Sequence, residues 1–267
     1  MSMLPEAIAS LPRVVAIANQ KGGVGKTTTA INLATALATA GKTVLLIDLD
    51  PQGNASTGVG LAKAGRRPGS YDVVMGEATL AEATRPTSVP RFSIVPSTID
   101  LVGADVELVE ASRREYRLAG AIVGSQRYDY VLIDCPPSLS LLTVNALVAA
   151  NAVLVPLQCE FFALEGLSLL LNTVDRVRRN FNPNLELQGV VLTMYDKRNN
   201  LSQQVVADVR DTLGDKVYQT IIPRNVRISE SPSYGKPVLL YDSQCAGSLA
   251  YIDLAGEVLK QERDLAA

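Results

Sequence analysis

Histidine and tryptophan are absent from this chain, and only 3 cysteines occur in its 267 residues. Cys135, Cys159 and Cys245 stand far apart with no CxxC spacing, so a zinc site has neither imidazole nor paired thiolates to draw on. They read as buried thiols of a reduced, cytoplasmic protein. A basic start followed by an apolar core is also missing from residues 1–13, MSMLPEAIASLPR. That excludes a signal peptide as the reading of this stretch and leaves residues 1–12 as an N-terminal extension. No apolar run approaches the roughly 20 residues of a membrane span. The most apolar stretch, 141–157, is interrupted by Asn145, Asn151 and Pro156, and divides into a helix and a buried strand. Linker-like, repetitive and low-complexity segments are missing too, so one domain over 13–267 is the simplest organisation. A strong net charge is lacking: the formal value is −2, which excludes a globally basic nucleic-acid binder but permits a local basic face.

What is present is apolar material, 47% of the chain, enough for a substantial core. Much of it lies in short continuous runs: VVAIAN (14–19), TVLLIDL (43–49), YVLIDC (130–135), AVLVPL (152–157) and GVVLTM (189–194), with SIVPS (93–97) a further candidate. Such runs lack polar alternation and belong to parallel strands covered on both faces. Helical patterns lie between them, at 26–40 (ending before Gly41), near 103–119, at 165–179, 201–213 and 246–264. Alternating strands and helices predict an α/β fold: a doubly wound, mostly parallel β-sheet flanked by helices on both faces, with ligands at the carboxyl ends of the strands. Residues 53–90 are less legible, and AGRRPGS (64–70) reads as a surface loop.

The stretch NQKGGVGKTTTA, 19–30, follows the first strand and opens a helix. The P-loop pattern asks for Gly, four residues, then Gly-Lys-Ser/Thr. Gly25, Lys26 and Thr27 fit, but Gln20 stands where the first glycine belongs, and Lys21 follows it. The backbone of residues 21–28, with Gly22, Gly23, Val24 and Gly25 in the turn and Lys26, Thr27 and Thr28 opening the helix, is suited to wrap an anion. Lys26 would reach the terminal phosphates of a nucleotide and Thr27 would ligate Mg²⁺. Two further strand ends carry carboxylates: Asp48 and Asp50 in LLIDLDPQGN, and Asp134 in YVLIDCPPS. Asp134 fits the Walker B role beside Mg²⁺. Asp48 and Asp50 point the same way if the strand persists. Asp48 is then better placed near the metal, and Asp50, beginning a loop before Pro51, is placed to orient a water.

Together KGGVGKTT with its early lysine, DLDPQGNAS, YDYVLIDCPPSL, CEFFALEGL and IPRNVRISESPSYGKP resemble the ParA/Soj chromosome- and plasmid-partitioning ATPases. These belong to the deviant Walker A class of P-loop ATPases. The matches run from residue 14 to about 240 in the family order. The resemblance implies an ATPase that binds ATP with Mg²⁺, forms a homodimer sandwiching two nucleotides, binds double-stranded DNA without sequence preference on the nucleoid, and hydrolyses ATP when a ParB-type partner stimulates it. It assigns Lys21 to the partner subunit's phosphates, with Lys26 and Asp50 completing the catalytic set. It also places Pro223 and Asn225 at the adenine, and Arg198 and Arg227 at DNA.

Charge agrees with a local DNA face. Nine basic and five acidic residues lie between 176 and 227, an excess of +4, so the rest of the chain carries −6. No aromatic interleaving or recognition helix accompanies them, which suits backbone binding with strong salt dependence. The alternative is a MinD-like membrane-cycling ATPase, which needs a basic amphipathic C-terminal helix. The tail YIDLAGEVLKQERDLAA instead has net charge −2.

Overall fold

The protein is described by a computed structural model over residues 11–123 and 127–266. The expected extension, 1–12, therefore lies mostly outside the described residues. Eight strands form one sheet: β1 (Arg13–Ile17), β2 (Val44–Asp48), β3 (Arg85–Pro86), β4 (Phe92–Val95), β5 (Tyr130–Asp134), β6 (Ala152–Gln158), β7 (Glu186–Tyr195) and β8 (Val217–Pro223). Their spatial order is β3-β4-β2-β5-β1-β6-β7-β8. The two-residue β3 runs antiparallel to β4, and every other pairing is parallel.

The helices are α1 (Lys26–Thr39), α2 (Asn54–Gly58), α3 (Ser70–Met75), α4 (Leu80–Ala83), α5 (Leu101–Glu107), α6 (Arg117–Ile122), α7 (Leu141–Ala149), α8 (Ala163–Asn180), α9 (Asn200–Leu213), α10 (Val226–Glu230), α11 (Val238–Tyr241) and α12 (Ala246–Ala266). They cover both faces. Because side chains alternate along a strand, Val14 and Ala16 join one core with α3 and α5–α9, while Val15 and Ile17 join a second with α1, α11 and α12. Both faces being buried is why the bodies of β1, β2 and β5 carry no polar residues at alternate positions.

The chain winds outward from β1 to β2 and β4, returns to insert β5 between β1 and β2, then winds the other way through β6, β7 and β8. The reversal falls at β1. Its carboxyl end is the crevice where a doubly wound sheet binds its ligand.

One expected helix is broken. Residues 103–119 form α5, a 3₁₀ turn at Leu108–Glu110, a second at Arg114–Tyr116, and then α6, with Arg113 in the left-handed region (φ 52°). The break is stabilised from another element. Asn145 on α7 is fully buried; its Nδ2 donates to the Arg114 carbonyl (2.8 Å) and its Oδ1 accepts from Leu118 N (3.2 Å). A tertiary amide satisfies backbone groups that a continuous helix would have paired internally.

Candidate nucleotide site

The phosphate-loop sequence forms the turn between β1 and α1. Gly23 (φ 75°) and Gly25 (φ 91°) both adopt left-handed backbone, and Gly25 caps α1 with its carbonyl accepting from Thr29 N (2.8 Å). A side chain at Gly25 would be strained at that φ whatever the space. Nothing lies within 4 Å of where a Cβ would project from Gly22 or Gly23, so the loop borders open space. Val24 is buried, and its carbonyl accepts from the Thr193 hydroxyl (2.9 Å), tying the loop to the end of β7. Below it Asn19 braces the entry: its Oδ1 accepts from Lys21 N (3.0 Å) and its Nδ2 donates to the Pro156 carbonyl (2.8 Å).

The two lysines have opposite settings. Lys26 is 6% exposed and donates from Nζ to the Lys21 carbonyl (2.9 Å), so it folds back over its own loop. Burial lowers its pKa, and Asp134, Cys135 and Asp50 work in the other direction. Lys21 stands at the rim, and its Nζ meets Glu160 Oε2 at 2.6 Å with both side chains half exposed. Gln158 holds the other Glu160 oxygen.

The three strand-end carboxylates separate. β2 ends at Asp48, so Asp48 and Asp50 do not share a continuing strand. Asp48 is fully buried; its Oδ2 accepts from Ser56 N (2.8 Å) and Oγ (2.6 Å), and its Oδ1 from Asp50 N (3.4 Å). Burial raises its pKa to about 6 although the Ser56 bonds oppose the shift. Asp50 sits in the following turn, where its Oδ1 accepts from Gln52 N (2.9 Å). Asp134 is fully buried at the end of β5, directly beside Asp48 in the sheet register. Among the described residues neither of its oxygens has a partner in hydrogen-bond geometry. Burial, then the neighbouring Asp48 charge, raise its pKa well above the carboxylate range; the Thr27 hydroxyl in the first turn of α1 and Lys26 oppose this. A buried carboxylate without partners is costly, on the order of 1–3 kcal/mol or more. A divalent cation beside Asp134 and Thr27 removes that cost, so this donor set fits Mg²⁺.

A cavity of about 350 Å³ adjoins the phosphate loop, lined by Gly25, Thr28, Met194, Pro223, Asn225 and Tyr251 among others. Met194 is held at φ 53°, an uncommon conformation for a side-chain-bearing residue and one that clusters at ligand sites. Pro223 ends β8. Asn225 caps α10, its Oδ1 accepting from Arg227 N (2.8 Å), which leaves its Nδ2 free of the cap.

A family model described as AAA domain matches residues 12–187. The chain is 62% identical over 255 residues to the chromosome partitioning protein ParA of Caulobacter vibrioides, covering 94% of this chain and 96% of that one. It is 52% identical over 247 residues to the sporulation initiation inhibitor protein Soj of Bacillus subtilis, covering 92% and 98%. The chain belongs to the ParA/Soj family of chromosome-partitioning ATPases. The same fold appears in a Mycobacterium smegmatis crystal structure named cobyrinic acid a,c-diamide synthase, with bound ADP and magnesium: TM-score 0.82, 37% identity, 94% of this chain and 96% of that one.

In this ParA/Soj chain the arginines expected at DNA lie on one corner. The Arg224 amide donates to the Tyr195 carbonyl (2.9 Å), which sets the loops after β7 and β8 side by side. Arg198 is highly exposed and makes a bidentate pair with Asp196, whose pKa it holds down at about 2. Arg227 pairs with Glu230 (3.1 Å) and Asp242 (3.4 Å). Both guanidiniums are thus internally compensated at the surface. Sequence reasoning missed Glu160 as the partner of Lys21, Tyr251 in the cavity wall and Ser56 beneath Asp48. Glu160 and Tyr251 reach their places by contacts between distant segments, and Ser56 by the turn that follows Asp48.

Proposed function

We propose that this ParA/Soj ATPase is a nucleotide-gated DNA-partitioning switch: ATP and Mg²⁺ binding drives face-to-face pairing of two copies, the pair binds DNA without sequence preference, and hydrolysis stimulated by a ParB-type partner releases it. The observation that carries this reading is the contrast between the two lysines. Lys26 is folded into its own phosphate loop, whereas Lys21 stands at the rim, turned to Glu160. Directly after Glu160 come Phe161 (73% exposed) and Phe162 (63%), packed edge to face. Large exposed aromatics beside a charged loop are what a second copy covers.

The residues then divide the work. Gly22, Gly23, Val24 and Gly25 supply the backbone cradle, and Lys26 binds the terminal phosphates. Thr27 and Asp134 would hold Mg²⁺, which when bound would neutralise phosphate charge and charge developing on the leaving group. Asp50 orients the attacking water. Lys21 enters from the partner as an arginine finger does. Asp48, its carboxylate taken up by Ser56 and Asp50 amides, anchors the Asp50 loop rather than the metal. Pro223 packs on the adenine and Asn225 donates to it. Arg198 and Arg227 exchange their carboxylate partners for DNA phosphates; exposed ion pairs are weak enough to yield.

The membrane-cycling alternative finds no support in α12. Its Glu257 accepts from Gln219 N and Thr220 N, and its Glu262 from the Tyr130 hydroxyl, so these acidic residues pin the helix to the sheet. Among the described residues no helix is long and apolar enough to cross a membrane. The test is DNA binding titrated with salt in ADP, ATP and a non-hydrolysable analogue. Binding confined to the triphosphate states, falling steeply with salt, is expected. Equal binding in ADP refutes the switch.

A further inference from the structure

The stretch 64–70, expected at the surface, sends one arginine inward. Arg66 is only 5% exposed. Its Nη1 donates to the Gly53 carbonyl (3.1 Å), its Nη2 to the Thr57 hydroxyl (2.8 Å), and its Nε and Nη2 to the Leu61 carbonyl (3.1 and 3.0 Å). The Asp48 charge offsets part of the cost of its burial. Gly53 closes the turn that begins at Asp50: its amide donates to the Asp50 carbonyl (2.9 Å). The same carbonyl accepts from Ser97 Oγ on the opposite side (2.6 Å). The Asp50 turn is therefore clamped between a hydroxyl from the end of β4 and a guanidinium from the 63–69 loop.

We infer that Arg66 is a positioning residue for hydrolysis: it fixes the 50–57 turn so that the Asp50 carboxylate stays where it can orient water. This rests on the reading of Asp50 given above. Apolar packing would fill the same volume, but only a guanidinium offers donors to three separate acceptors in one rigid plane. Gly53 adopts φ 63°, and a Cβ there would come within 2.5 Å of Arg66 Nη1. The absence of a side chain at Gly53 is what admits the guanidinium.

None of these contacts touches residues 21–28, so loosening the turn should leave nucleotide binding in place. A misplacement of about 1 Å at a reacting group costs on the order of 100-fold in rate. The test compares Arg66→Lys, Gly53→Ala and the double variant Gly53→Ala/Arg66→Lys. The readouts are single-turnover ATP hydrolysis, ADP affinity by fluorescent-nucleotide titration, and melting temperature. The expected result is a rate loss of about 10- to 100-fold in each single variant, with ADP affinity within about threefold. The double variant should be no slower than the worse of the two singles, because both lesions remove the same contact. A wild-type rate in Arg66→Lys, or ADP affinity falling in step with the rate, overturns the proposal. If Arg66→Lys does not fold, an unchanged rate in Gly53→Ala overturns it alone. Asp50→Ala separates the two layers. Normal hydrolysis in that variant sinks the role of Asp50 itself, whereas an inactive Asp50→Ala beside a normal Arg66→Lys sinks only the clamp.

Discussion

Replacing Lys21 with alanine tests whether it serves a neighbouring subunit, as proposed, or its own. The Lys21–Glu160 pair is 2.6 Å long with side chains 44% and 47% exposed, so its removal should change stability by no more than about 0.5 kcal/mol. At this size that moves the melting temperature by about 1–2 °C. Binding of ADP to the monomer should hold within about threefold, since Lys26 and the glycine cradle remain. Hydrolysis should fall much further. A cation supplied in trans at a phosphoryl-transfer site contributes on the order of 10³–10⁵ in rate, or about 4–7 kcal/mol of transition-state stabilisation. The decisive assay mixes the inactive Lys21→Ala protein with inactive Asp50→Ala. In a mixed pair, one site combines an intact Asp50 with the intact Lys21 of the other subunit. On random two-fold pairing about a quarter of wild-type activity should return. If Lys21 acts within its own subunit, every site in the mixture stays defective and nothing returns. That outcome, or wild-type turnover in Lys21→Ala alone, refutes the reasoning.

Asp134→Asn removes a buried carboxylate whose oxygens have no hydrogen-bonding partner among the described residues. Urea unfolding without nucleotide should show equal or greater stability, by up to about 3 kcal/mol, while Mg²⁺-dependent hydrolysis is lost; a marked loss of apo stability contradicts this. Arg198→Glu and Arg227→Glu should each weaken DNA binding at moderate salt and reduce the salt slope, while analogue-induced dimerisation in analytical ultracentrifugation is unchanged. Unchanged DNA affinity in both removes the corner from the DNA face. Asn145→Ala should destabilise by about 1–3 kcal/mol in denaturant unfolding, because it strands the buried Leu118 amide and the partly buried Arg114 carbonyl. A loss under 0.5 kcal/mol, on the order of a surface substitution, counts against the capping account of the helix break.

The legible parts of this molecule are those whose physics is local along the chain. An anion cradle needs a strand, glycines that tolerate left-handed backbone, and a helix start, and residues 14–30 carry all three in order. The buried strands are legible for the same reason: a strand covered on both faces is apolar through its body, so β2 and β5 declare themselves without neighbours up to their terminal Asp48 and Asp134. What escaped is held by contacts that no residue pattern or composition encodes. The periodicity over 103–119 describes one helix, but the backbone bends because Asn145, a residue of α7, offers it alternative hydrogen bonds. Arg66 lies in a stretch whose composition is that of a loop, and the carbonyls of Gly53 and Leu61 with the Thr57 hydroxyl draw it inside.

Asp48 and Asp50 mark the boundary between the two kinds of information. The alternation rule puts them on one side only while the strand continues. The strand stops at Asp48, because Pro51 cannot donate to a ladder and the Asp50 side chain instead bonds Gln52 N to form a turn. Once the chain turns, Asp48 is left under the loop facing Ser56, and Asp50 sits in the turn where its charge acts on Lys26. Two carboxylates two residues apart thus acquire different environments: one has its oxygens bonded inside the protein, and the other sits in a turn clamped by Ser97 and, through Gly53, by Arg66. That separation leaves Asp134 as the buried strand-end carboxylate whose oxygens, among the described residues, lack such bonds, which is why we propose the metal there.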